Sequence, residues 1–216
     1  MKDIKPIKGT YYIQNLISEG EHEHQDFKFA ISDASKISHS ISAFANNDGG
    51  RLLIGVKDNG NIAGVRNEED IFMIEQAAQM YCRPPQEVKV TAFTVEGGAV
   101  VLRAEIMKAS RRPVYSREPD GSWRAYFRVK DENIVAHPAM VKTWKLIESR
   151  QEFMLTMSEA ETSLLKYLES HELATIEEYM IHACISHATA EDIVVRLASI
   201  GVINFVYDGS EFKISL

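Results

Sequence analysis

Cysteine is nearly absent from the chain: 216 residues carry two, Cys82 and Cys184, and neither sits in a C-x-x-C pair. That excludes a disulfide scaffold and a cysteine zinc cluster, and it predicts reduced thiols in a cytoplasmic compartment. Long apolar runs are missing too. No stretch approaches the roughly 18 residues that span a bilayer, so no membrane partner is expected. The N-terminal MKDIKPIKGTYYIQ holds lysines without an apolar core, which predicts no signal peptide. There is no internal repeat, no low-complexity segment, no Walker loop and no nucleophile elbow. Positive charge is scarce in one place only. Residues 151–216 hold 3 Lys and Arg against 11 Asp and Glu, whereas residues 1–150 hold 21 against 20. The overall charge of −7 excludes a protein that coats nucleic acid without selectivity. The split between the two segments predicts a different partner for each.

What is present reads as two domains, residues 1–150 and 157–216, joined by a linker near 150–157. Residues 1–10 read as a loose arm and Tyr11 to Ser18 as a short helix. Residues 25–30 alternate as a strand. Residues 34–46 put Ile37, Ile41 and Phe44 on one helical face. The turn cluster NNDGG precedes a buried strand, RLLIGV. Residues 68–82 read as a second amphipathic helix, stopped by Pro84 and Pro85. Two strands joined at Gly97-Gly98 follow, then a hairpin turning at Pro119-Asp120-Gly121, then a closing helix from His137 to Arg150. This order is α+β: a mixed-sheet N-terminal domain with flanking helices. The last segment has two capping boxes, Ser158/Glu161 and Thr175/Glu178, a third helix near 188–199, and two strands around Asp208-Gly209. Three helices and a two-stranded ribbon follow the order of a small winged helix-turn-helix domain.

Three groups of residues carry possible chemistry. Glu21 precedes a strand on which Asp26 and Lys28 share a face. Two acids and a lysine in that arrangement suit a divalent cation and a phosphate, and they equally suit a solvated edge strand. His22 and His24 offer nitrogen donors beside Glu21 or exposed loop. Between Asn46 and Gly60 the glycines suit either a tight helix-to-strand turn or the close approach of a nucleotide near Asp48-Gly49-Gly50. The third group is basic: Lys108, Arg111, Arg112, Arg117, Arg124, Arg128 and Lys130 within 23 positions, interleaved with Tyr115, Trp123 and Tyr126. Arginines contact phosphates and aromatic rings stack on bases. Arg124, Tyr126 and Arg128 share one strand face, and Arg112, Arg124 and Arg128 are expected on one exposed surface. The alternative is a twisted hairpin whose arginine stems cover apolar surface.

The strings GE-x4-DFK at 20–28, ISAFANNDGG at 41–50, RLLIGV at 51–56 with Asp58 and Gly60, and RAYFRV at 124–129 together resemble the Schlafen AlbA-like domain over about residues 11–135. The resemblance implies a DNA-binding domain of the kind found in bacterial transcriptional regulators and Schlafen proteins, with nucleic acid, DNA or RNA, as the partner. The Tyr-x-Arg element of that family falls on Tyr126-Phe127-Arg128. In Schlafen relatives that cut RNA, acidic residues bind a metal. That implies Glu21, Asp26 and Asp58 as ligands for Mg²⁺ or Mn²⁺, and Lys28 on the scissile phosphate. The family usually has Glu at the position of Asp26, so one carboxylate arm is shorter here. Binding therefore ranks above a metal-dependent ribonuclease or deoxyribonuclease as the expected function. The third C-terminal helix offers His187, Glu191, Asp192 and Arg196 where DNA readers place base contacts. A segment of charge −8 over residues 151–216 repels phosphates, so dimerisation or contact with a protein partner is expected of this module.

Overall fold

The computed structural model describes residues 4–65, 69–150 and 157–216. The expected linker lies, at 151–156, outside the described residues. The chain divides into two compact units, Met1–Val135 and Ala136–Leu216, and the fold is α+β. No helix among the described residues is long and apolar enough to cross a membrane.

The first unit runs β1 (Ile7–Lys8), α1 (Thr10–Ser18), β2 (Gln25–Lys28), α2 (Ala34–Asn46), β3 (Gly50–Ile54), α3 (Glu69–Met80), β4 (Cys82–Arg83), β5 (Val88–Thr94), β6 (Val100–Ile106), β7 (Tyr115–Arg117), β8 (Trp123–Val129) and β9 (Glu132–Val135). Five strands form a mixed sheet in the order β1-β5-β6-β3-β2, and four form a second sheet in the order β4-β7-β8-β9. The N-terminal arm is not wholly loose: Ile7 and Lys8 pair in parallel with Phe93 and Thr94.

Alternation along the strands sends each face of the five-stranded sheet into its own core. Phe27, Leu53, Val101 and Phe93 meet Ile13 and Leu16 of α1. On the opposite face Leu52, Ile54, Leu102, Ala104 and Ile106 meet Ile37, Ile41 and Phe44 of α2 and Ile74 of α3. The second sheet packs on the far side of α2, so that helix lies between two sheets. Eleven of its thirteen residues are buried, which explains a composition of Ser and Ala around three large apolar residues. Serine is a poor helix former because its hydroxyl competes for backbone groups. Here the hydroxyls are spent on the second sheet. Ser35 Oγ donates to the Arg117 carbonyl at 2.9 Å and Ser42 Oγ to the Val114 carbonyl at 2.8 Å. Asp33 caps the helix, accepting from the Ser35 N–H at 2.9 Å.

The second unit contains α4 (Pro138–Ser149), α5 (Glu159–His171), α6 (Ile176–Ala183), α7 (His187–Ser199), β10 (Asn204–Tyr207) and β11 (Phe212–Ser215). Both expected capping boxes form, at Ser158/Glu161 and Thr175/Glu178. Leu164, Leu168, Tyr179, Ile193, Val194, Leu197 and Ile214 build the core. The ribbon is antiparallel, pairing Asn204 with Ser215 through Tyr207 with Phe212. Ala174 bridges to Ile214, with backbone bonds of 3.0 and 2.8 Å, and ties the ribbon to the α5–α6 loop. Periodicity alone put residues 137–150 at the close of the first domain. In the structure Ala139 and Leu146 of α4 pack in the second core instead. An apolar helical stripe states that a partner exists without saying on which side of a domain boundary it lies.

Candidate nucleic-acid interface

The acidic group is a buried polar knot with little spare charge. Asp26 lies on β2 with its face toward α2 and is only 4% exposed. Lys28 Nζ is 2.7 Å from its Oδ2 and Arg128 Nη2 is 3.4 Å from its Oδ1. Ser40 Oγ reaches Oδ2 at 3.5 Å. Glu21 adjoins this knot. Its Oε1 accepts the Phe27 N–H of β2 at 2.8 Å. Burial pushes the Glu21 carboxyl up; the Phe27 N–H opposes that shift and the adjacent Asp26 carboxylate reinforces it. Asp58 is exposed in the 57–60 turn. Among the described residues no three His, Cys, Asp or Glu side chains converge to hold a metal ion. The expected trio of Glu21, Asp26 and Asp58 is therefore a pair, and the Lys28 ammonium is bound to its Asp26 member. His22 and His24 turn to local bonds: His22 Nδ1 accepts the His24 N–H at 3.1 Å, and His24 Nδ1 lies 3.0 Å from the Gly49 carbonyl oxygen.

The glycine cluster is explained by packing. Gly49 has φ +81°, and a Cβ there would lie 2.8 Å from the Ile106 carbonyl oxygen. A Cβ on Gly50 would enter the Phe44 ring at 2.3 Å. The neighbouring asparagines have a related task. Asn46 Nδ2 donates to the Val114 and Tyr126 carbonyls, each at 2.9 Å, and its Oδ1 accepts the Val114 N–H at 2.8 Å. Asn47 donates to the Arg128 carbonyl at 2.7 Å and accepts the Arg128 N–H at 3.1 Å. Pairing between β7 and β8 stops at Tyr115–Ala125. Beyond it, α2 side chains take the backbone groups that another strand would have taken.

This arrangement divides the basic group. Tyr126 and Arg128 lie on the β8 face that packs on α2. Arg128 is 2% exposed; its guanidinium holds Asp26, the Asn133 side chain at 3.0 Å and the Gln25 carbonyl at 3.3 Å, and it lies over the Phe44 ring at 5.1 Å. Tyr126 is buried; its hydroxyl donates to Glu118 at 2.8 Å and its ring stacks on His39 at 4.3 Å. Arg112 is half-buried, donating to the Asn46 carbonyl at 3.0 Å, and burial pulls its guanidinium down from its usual value. The expected exposed surface of Arg112, Arg124 and Arg128 is thus not formed, because α2 covers the strand beyond Arg124. Lys108 pairs with Asp48 at 2.6 Å. Arg111, Arg117, Arg124 and Lys130 are exposed.

Two of these, Arg117 and Arg124, lie beside the tip of the β7–β8 hairpin. Arg117 pairs in register with Trp123, and Arg124 with Ser116. Arg83 on β4, opposite Tyr115, places its guanidinium 5.7 Å from the Trp123 ring centroid. Arg83, Arg117 and Arg124 are exposed, and no carboxylate among the described residues lies within ion-pair distance of them. Arg83 carries no local signal in the sequence: only the non-local pairing of Cys82 with Ser116 brings it here.

The corresponding surface of the second unit is different. Arg196 on α7 is held by Glu161 at 2.9 Å and Asp192 at 3.3 Å. Lys213 on the ribbon is held by Asp208 at 2.8 Å, and Lys142 by Glu191 at 2.5 Å.

Comparison with known proteins bears on the first unit. Among solved structures, the chain is similar to the DIP2311 protein from Corynebacterium diphtheriae, at 19% identity and a TM-score of 0.44, over 69% of this chain and 30% of that one. It thus spans less than a third of that protein's length. It is also similar to the N-terminal domain of a RecG-related protein from Nitrosomonas europaea, at 16% identity and a TM-score of 0.40, over 71% of this chain and 97% of that one. No curated protein sequence matches. The family model described as Schlafen, AlbA_2 matches residues 21–137, more than half of the chain. That span holds α2 with its Ser and Asn side chains, the Asp26–Arg128 pair and the arginine hairpin, and the chain belongs to the Schlafen, AlbA_2 family.

Proposed function

We propose that the chain is a nucleic-acid-binding protein that grips its target with the β7–β8 hairpin. The observation that carries this reading is the set Arg83, Arg117 and Arg124, exposed and without ion-pair partners among the described residues, with Arg83 and Arg117 on the face of the sheet that holds Trp123 and Arg124 on the other. Unpaired cations release counterions when they meet phosphates, and an indole among them offers a base-stacking face. Family membership supports the same reading. The second unit is a winged helix by its order of helices and ribbon and by the Ala174–Ile214 bridge. Arg196 and Lys213 are already committed to carboxylates, so this module serves dimerisation or protein contact. A nucleic-acid grip joined to a protein-contact module is the composition of a transcriptional regulator. Fluorescence anisotropy of labelled single- and double-stranded DNA and RNA, with the full chain and its Arg117→Ala/Arg124→Ala variant, tests the reading. Affinity that falls with salt and with the double substitution supports it; equal affinity of the two proteins overturns it.

A further inference from the structure

Beside the hairpin tip, within the first unit, lies a groove of about 390 Å³ lined by Asp33, Ser35, Tyr81, Arg117, Glu118 and the 119–121 turn. Its walls are fixed by hydrogen bonds. Ser35 Oγ holds the Arg117 carbonyl at 2.9 Å, and the Arg117 N–H holds the Tyr81 carbonyl at 2.9 Å. Both carboxylates are half used. Asp33 caps α2 through Oδ1. Glu118 receives the Tyr126 hydroxyl at 2.8 Å and lies 3.3 Å from His39 Nε2, both at Oε1. Asp33 Oδ2 and Glu118 Oε2 accept nothing from the described residues. The Glu118 side chain is only 13% exposed, so its vacant oxygen is held in place.

We infer that this groove receives one unstacked nucleobase, and that it selects a base with hydrogen-bond donors on its Watson–Crick edge, guanine foremost. The inference rests on the nucleic-acid reading above and names the chemistry of that site. An ionised carboxylate only accepts, so two of them repel a phosphate and refuse the carbonyl edges of thymine and uracil. Guanine offers N1–H and its 2-amino group side by side. Tyr81, which also lines the groove, carries an aromatic ring of the type on which splayed bases stack. Arg117, exposed at the mouth, is placed for the phosphate that follows the base.

The test uses the full chain and labelled oligothymidylate strands of twelve nucleotides whose centre carries guanine, inosine, adenine or thymine, with matching oligouridylate strands carrying the same central bases or uracil. Guanine is expected to bind about tenfold tighter than thymine, with inosine between, because a good bidentate pair discriminates by about that factor. Asp33→Asn keeps a capping oxygen for Ser35 and puts an amide donor in place of one acceptor. It is expected to abolish the guanine preference, because the guanine strand loses an acceptor while the thymine strand gains a donor for its carbonyl edge. Arg117→Ala is expected to weaken all strands alike. Binding without base preference in both DNA and RNA, or a preference that survives Asp33→Asn, overturns the inference and leaves the nucleic-acid reading standing. Binding of no strand by the unsubstituted chain overturns both.

Discussion

The Arg128 guanidinium lies 3.4 Å from the Asp26 carboxylate, with the two side chains 1% and 5% exposed. The pair ties β8 of the second sheet to β2 at the edge of the first. Removing one member of a buried pair leaves an uncompensated charge, which costs about 3–5 kcal/mol. Lys28 remains beside Asp26, so Arg128→Met is expected near the lower figure, about 3 kcal/mol. Asp26→Asn/Arg128→Met should cost less than the two single changes together. Urea unfolding of the four proteins measures the coupling. Additive effects would show that the pair does not act as a unit.

Nucleic-acid affinity should depend on Arg117 and Arg124, and Arg128 should matter only for folding. Each lost phosphate contact is expected to flatten the plot of log affinity against log salt by about one unit. Binding isotherms from 50 to 300 mM salt, with and without Mg²⁺ or Mn²⁺, give the slopes. The metal is expected to make no specific contribution, since Lys28 and Arg128 already satisfy Asp26. A selective gain in affinity with Mn²⁺ that is lost in Asp26→Asn would return the carboxylates to a metal-binding role.

Asn46 should prove more costly to alter than any surface residue of the domain. Its side chain serves three backbone groups of the Val114 loop and β8. Unsatisfied buried groups cost about 1–3 kcal/mol each, so Asn46→Ala is expected to lose at least about 3 kcal/mol. Asn46→Asp keeps the acceptor and loses both donations, and should be no better tolerated. Chemical denaturation followed by Trp fluorescence reports the loss. A cost under about 1 kcal/mol would mean that water replaces the amide.

His39 gives the first unit a pH dependence of defined sign. Burial holds its imidazole below its ordinary value near 6.5, against the opposing pull of Glu118 and Asp33. As pH falls through 6.5 the unfolded chain takes the proton first, so stability declines and then levels off once the folded imidazole also titrates. His137 in the second unit shifts in the same direction, chiefly through burial, and contributes with the same sign. NMR titration of the His39 ring protons should give a midpoint below 6.5. His39→Phe, which can keep the stack on Tyr126, should remove part of the stability slope between pH 7 and 5.5. A His39 midpoint above 6.5 would show that Glu118 outweighs burial.

Local pattern was enough for α2, for the hairpins at Gly97-Gly98 and Asp120-Gly121, and for the capped helices α5 and α6, because each has its own period, turn or cap. It also placed Arg124, Tyr126 and Arg128 on one strand face. Which part of that face meets water was not legible, since α2, some 80 positions earlier, decides it. The same limit applies to Arg83 and to the groove, where Asp33 and Glu118 are brought together by packing across 85 positions of chain. The carboxylate pair of Glu21 and Asp26 could be read from spacing, but not that Lys28 and Arg128 occupy its charge. Arginines at regular spacing announce a surface only when nothing folds over them.

Glu21 has one more consequence. β2 is an outermost strand, and its outward Phe27 N–H is taken by the Glu21 carboxylate instead of being left open. A negatively charged side chain folded back over the rim blocks the hydrogen bond that an intruding strand from another molecule needs first. Glu21 is therefore a guard against edge-to-edge polymerisation. Its loss would be felt less in the stability of a dilute monomer than in how concentrated the protein can become before it aggregates.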